Sequence, residues 1–274
     1  MEKSSLNFII SIAEISIWGV GLVLLCLQLA AHEVGYRIGK RAKSRGTSQP
    51  ENVGVVVGGM LGLLAFVLAL TLSYSSARFN ERRQDALAEA NAIGTAWLRA
   101  QAIGSPEALD IAKLLGEYLD VREGFVRAGR DQQSIEKANQ QTSALQQEIW
   151  SQVTAIVRQR PDAVTAALMS AVNETFDTGT SERFALDTRL PAQIFWLLVG
   201  VMVLSMATLG YQFGIKGRPV RFLVLLLTLV WTAVVIDILD LATARLGSFR
   251  TDVRMYEWTR QGLGEARPPP VPIQ

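Results

Sequence analysis

One cysteine and one histidine in 274 residues already exclude several kinds of chemistry. Cys26 lies within the first apolar run, so no disulfide framework and no zinc cluster can be built inside one chain. His32 alone cannot make a histidine-rich metal site, and it is the only histidine available as a base. The sequence holds no nucleotide-binding loop, no G-x-S-x-G and no metal-ligand spacing. Carboxylates are plentiful, but nothing in the pattern converges them, so no catalytic residue, metal or cofactor is expected. Strand alternation and internal repeats are missing, and low complexity is confined to PPPVP near the C-terminus, which reads as an extended or disordered tail. Neither sign of charge dominates, with 27 Lys/Arg against 25 Asp/Glu. The net charge is +2 and no Lys/Arg surface alternates with aromatics, so nucleic acid is not expected as a partner.

Apolar residues are what the chain has in quantity. It is 49% hydrophobic and 19% charged, with a mean hydropathy of +0.23, which suits a chain partly dissolved in lipid and partly in water. Four runs, 8–31, 53–74, 192–215 and 220–241, reach the roughly 20 residues that cross a bilayer core. The first is much longer than a signal-peptide core, so it reads as a retained span. The fold class expected is all-α: a polytopic membrane protein with four transmembrane helices and a helical-bundle insert between the second and third spans. Its divisions are 1–74 (two spans and a basic loop), 75–190 (a water-soluble helical insert), 191–244 (two spans) and 245–274 (a polar, Pro-rich tail). The lipid bilayer is its first partner.

Basic residues set the orientation. Arg37, Lys40, Arg41, Lys43 and Arg45 fill the polar stretch after the first span, read as a loop from His32, and Lys216, Arg218 and Arg221 flank the tight turn on the same side. Arg78, Arg82, Arg83, Arg245, Arg250 and Arg254 lie on the other. The first loop is the densest and earliest cluster and is placed in the cytoplasm, with the insert and both termini opposite.

Within the insert, Gly104, Ser105 and Pro106 break one helix and start another, with Ser105 as N-cap and Pro106 at the first helical position. Leu109, Ala112, Leu115, Leu119 and Val126 give that second helix one apolar face, and it ends near Gly129. A near-heptad seam, Ile135, Ala138, Thr142, Leu145, Ile149, Val153 and Ile156, marks the third. Pro161 opens a fourth, and a separate short piece, SERFALDTRLP, leads into the third span. The insert holds 13 Lys/Arg against 16 Asp/Glu, so it does not recruit anionic partners as a whole.

Candidate functional positions lie mostly on the second span and its continuation. Gly54, Gly58, Gly62, Ala65, Ala69, Ser73 and Ser76 recur at spacings of three or four. That stripe suits close helix packing, for which Gly54, Gly58, Ala65 and Ala69 are the candidates, and in an oligomer it is compatible with lining a pore. Charges in or beside the spans, Glu14, Arg78, Glu81, Arg83, Glu89, Asp237 and Asp240, could mark an ion or proton path. For Glu14, Asp237 and Asp240, an interfacial position or pairing with arginine is preferred. Phe79, Ala86, Ala90, Ile93 and Trp97 form a packing seam; Glu89 and Asn91 fall off it, and a solvated face is preferred for both.

The segments GLLAFVLALT, ARFNERR, EANAIGTAWLR, RLPAQIFWLL and DILDL together resemble the bestrophin-like domain family of bacterial membrane proteins, over nearly the whole chain. The resemblance implies a multi-pass protein of the bacterial cytoplasmic (inner) membrane. A more distant resemblance links it to bestrophins, which are pentameric chloride or cation channels with four spans per subunit. Their Arg-Trp-Trp-Glu-x-Arg motif at the end of the second span is similar to Arg78, Phe79, Asn80, Glu81, Arg82 and Arg83. In that register Gly62, Phe66 and Leu70 occupy the places of the bestrophin hydrophobic neck. Gly62 is not bulky, the tandem tryptophan is missing and no acidic calcium clasp is visible. Bestrophins also keep their inter-span helices in the cytoplasm, whereas the basic loop here argues for the opposite side. The resemblance implies a homo-oligomer with ion-channel activity, inorganic ions as permeants, and a constriction at Gly62, Phe66 and Leu70. The alternative is a membrane-anchored sensing or scaffolding protein that acts through its helical insert.

Overall fold

The computed structural model describes residues 17–46, 50–129, 131–187, 191–217, 220–243 and 251–265. Among them the secondary structure is entirely helical. In chain order the helices are α1 (Ile17–Ser44), α2 (Pro50–Ile103), α3 (Pro106–Arg127), α4 (Gln132–Gln159), α5 (Ala163–Asp187), α6 (Ala192–Lys216), α7 (Arg221–Thr243) and α8 (Arg254–Glu265). Four of them, α1, α2, α6 and α7, are long and apolar enough to cross a membrane. The chain divides into two compact units, one of Met1–Arg78 with Arg189–Phe249 and one of Phe79–Thr188 with Arg250–Gln274.

The first unit packs α1, the first half of α2, α6 and α7 around Val20, Leu24, Leu64, Leu68, Met202, Val235 and Ile238. Polar groups inside it bond between helices, which lipid cannot do for them. Gln28 donates from Nε2 to Thr232 Oγ1 at 2.8 Å, and Ser205 donates from Oγ to the Met60 carbonyl at 3.1 Å. The closest approach is between α1 and α6. A Cβ added at Gly35 would stand 2.8 Å from the Ala207 carbonyl carbon, and one at Gly39 3.0 Å from that of Tyr211. From the other side, a Cβ at Gly210 would stand 2.9 Å from the His32 carbonyl carbon, and one at Gly214 2.8 Å from the Lys40 nitrogen. Residue numbers rise together across this contact, so α1 and α6 run parallel.

α1 does not end where its apolar run does. It continues through the stretch read as a loop from His32, so that Arg37, Lys40, Arg41 and Lys43 are helical. Polar residues do not stop a helix unless a cap or a breaker does, and here Gly46, at φ 68°, closes it.

In the second unit the later part of α2 buries Ala86, Ala90, Ile93, Ala96 and Trp97 against Ile111, Leu115, Leu119, Ile149, Val153, Leu168 and Val172. The seam expected on α2 is the buried one. Gly104 adopts φ 70°, and Ser105 caps α3 by accepting from the Ala108 amide at 3.3 Å. α5 starts two residues later than Pro161 suggests, because Asp162 is its cap, accepting from the amides of Val164 at 3.0 Å and Thr165 at 2.9 Å. It then runs to Asp187, absorbing much of the stretch read as a separate short piece. α8 lies within the stretch read as a tail and buries Tyr256 in the core of this unit. The PPPVP segment lies outside the described residues.

Candidate functional site

Along the first half of α2, residues at helical spacing divide into two faces. Val57, Leu64, Leu68, Thr71 and Ser75 are buried in the first unit. The opposite side, with Gly58, Gly62, Ala65, Phe66, Ala69, Leu70 and Ser73, is exposed. Phe66 is 60% and Leu70 55% exposed. A Cβ at Gly58, Gly59 or Gly62 would meet nothing within 4 Å, and at Gly54 it would meet only the Gln212 amide, at 3.3 Å. Within one chain Gly58, Gly59 and Gly62 therefore pack on nothing, whereas Gly35, Gly39, Gly210 and Gly214 of α1 and α6 pack on backbone.

The charged candidates differ widely in burial. Arg78 is half-buried, Glu81, Arg83 and Asp237 are exposed, and Asp240 is buried at 6% exposure. Glu14 lies outside the described residues. Asn91 is exposed, as read, but Glu89 is fully buried.

Glu89 sits in an ionic knot that no sequence period announces. Arg122 donates from Nε to Glu89 Oε1 at 2.5 Å and from Nη2 to Glu182 Oε2 at 2.6 Å and the Gly179 carbonyl at 3.2 Å. Tyr256 donates from its hydroxyl to Glu89 Oε2 at 2.6 Å, joining α8 to α2. The Arg122 guanidinium also stands 4.7 Å from the Phe125 ring centroid. Gly179 is needed here, since a Cβ would come within 2.7 Å of the Tyr118 hydroxyl and 2.8 Å of Glu89 Oε1. Burial works against charge on Arg122, but Glu89 and Glu182 overcome it, so the guanidinium holds its proton more tightly than usual. The partners lie 33 and 60 residues from Arg122.

Burial first, and then the neighbouring carboxylates, push the hydroxyls of Tyr118 and Tyr256 above their ordinary value of 10.0. A pKa raised on folding gives stability that is complete below the unfolded value and is lost as pH rises through the folded one. Thermal unfolding of the full chain should therefore be insensitive to these groups up to about pH 10 and should fall above it. Tyr256→Phe should flatten that alkaline decline, and an unchanged slope would show that another group sets it.

The bestrophin-like domain family matches residues 21–252 of the chain. Among solved structures, a variant of a bacterial bestrophin homolog from Klebsiella pneumoniae is similar with a TM-score of 0.64 at 14% identity, covering 88% of this chain and 97% of that one. A second variant of a Klebsiella pneumoniae bestrophin homolog gives 0.59 at 14% identity, over 89% and 96%. A structure described as a membrane protein gives 0.62 at 13%, over 90% and 97%. At such identities the likeness is one of fold. No curated protein matches.

Proposed function

The chain belongs to the bestrophin-like domain family, and from that membership we propose that it assembles as a homo-oligomer in the bacterial inner membrane and conducts ions passively along an axis lined by α2. The observation that carries this reading is the open face of α2. Its small residues allow close approach of a second copy, and Phe66 and Leu70 on it are left more than half exposed by the rest of the chain. Arranged around an axis, those two rings of apolar side chains form a constriction that gates by dewetting. Gly62, one turn before Phe66, leaves the bore wider there.

A single-particle reconstruction of the full-length protein in lipid nanodiscs tests the assembly. A closed ring with Gly62, Phe66 and Leu70 on the axis is expected. A monomer or dimer with those residues packed against neighbouring spans would end the channel reading. In reconstituted vesicles, Phe66→Ala should raise ion flux severalfold by widening and wetting the constriction; flux equal to or below that of the unaltered protein would place the barrier elsewhere.

A further inference from the structure

The second unit has a cleft of about 310 Å³ between α2 and α8, lined by charged and apolar side chains from both sides. Asp252 accepts from the Arg254 backbone amide at 2.9 Å and is also held by the Arg254 guanidinium, so these two charges largely cancel. Arg83 acts on Asp252 only through a weaker, longer-range attraction. Among the described residues it makes no ion pair, and its guanidinium carbon stands 5.9 Å from the Phe79 ring centroid. Two guanidiniums against one carboxylate leave the cleft with a single positive charge. Its apolar residues are open to water except Met255: Trp258 is 62% and Leu87 44% exposed, and Met255 is buried. A broad indole face left in water beside an exposed guanidinium that makes no close ion pair is an arrangement that a flat, apolar anion would cover.

We propose that this cleft is a binding site for a small organic monocarboxylate with an aromatic body. Its carboxylate lies against the Arg83 guanidinium, whose planar fork matches two oxygens at once. The amides of Asn80 and Gln84, on the same helix, supply further donors at that end. The ring rests on Trp258 with Leu87 and Met255 at its edges. Asp252 selects against a dianion, because a second negative charge would meet its carboxylate rather than a free cation. The volume is at the small end for ligand pockets, which suits one ring and one acidic group. All these residues come from one chain, so the site does not depend on the assembly proposed above.

Calorimetric titration of the full-length protein in detergent with benzoate tests this, with acetate and inorganic phosphate as comparators. Saturable binding of one benzoate per chain is expected, with acetate at least about tenfold weaker for want of a ring, and phosphate also weaker. Arg83→Gln and Trp258→Ala should each weaken benzoate about tenfold or more. Both side chains are exposed, so neither variant should change the unfolding temperature, which shows that the fold is kept. No saturation by about 10 mM benzoate, or unchanged affinity in Arg83→Gln, would overturn the site, and phosphate binding as tightly as benzoate would overturn its assignment to carboxylates.

Discussion

Arg122→Ala should destabilise the helical unit by about 3–5 kcal/mol, the usual consequence of removing one partner from a buried ion pair. The side chain is 1% exposed and both carboxylates it bridges are fully buried. Taking the guanidinium away leaves Glu89 and Glu182 close together with no cation between them, each in a site where an unpaired charge is costly. The lost hydrogen bond to the Gly179 carbonyl and the lost contact with Phe125 add to this. The opposite substitution is milder. With two carboxylates for one arginine, Glu182→Gln leaves a neutral pair of Arg122 and Glu89, and an amide that can still accept from Nη2. Its cost should be nearer to about 1 kcal/mol, that of a single hydrogen bond weakened rather than of a charge stranded. Adding Glu182→Gln to Arg122→Ala should recover part of the loss, because one of the two stranded charges is then gone. Hydrogen exchange of peptides from α3 and α5 in the full-length protein reads all three variants. Equal effects of Arg122→Ala and Glu182→Gln would show that packing, not charge, holds the knot together.

That knot also marks where the sequence stops being readable. The helix breaks at Gly104 to Pro106, the cap at Ser105 and the seam from Ala86 to Trp97 are local features, and each could be seen because its parts lie within a few turns of one another. Glu89 falls off the apolar seam of its own helix, and on one helix that signals solvent. Only the arrival of Arg122, 33 residues later, and of Tyr256, 167 residues later, turns the same position into core. α8 was hidden for a related reason: its helix is short and polar apart from Met255, Tyr256, Trp258 and Leu263, and it draws its place from contacts with residues more than a hundred positions earlier. Arg260 pairs with Asp120 and with Glu123, the latter at 2.6 Å, and Arg127 bonds Glu257 at 2.6 Å.

The glycines teach a different point, because the sequence contains two sets at the same spacing and only the structure separates them. Gly39→Leu, or Gly35→Ala together with Gly210→Ala, should prevent the first unit from folding. At all four positions of the α1–α6 contact the atom that an added Cβ meets is backbone of the facing helix, which cannot rotate away as a side chain can. Overpacking of a core costs about 1–3 kcal/mol per site and occasionally more, and here the whole interface must open to accommodate it. The stripe on α2 should behave in the reverse manner. Gly58→Leu and Gly62→Leu add side chains into space that is empty within the chain, so the single chain should fold as before. If α2 faces an axis shared with other copies, Gly62→Leu supplies a third apolar ring above Phe66 and should reduce ion flux severalfold, while Gly58→Leu should hold neighbouring copies apart. Yield of folded protein, oligomer size and vesicle flux, measured on the same four variants, separate the two sets. Loss of folding from Gly62→Leu would mean that α2 already packs within one chain on that side. Normal folding with Gly39→Leu would mean that α1 and α6 are not locked by their glycines.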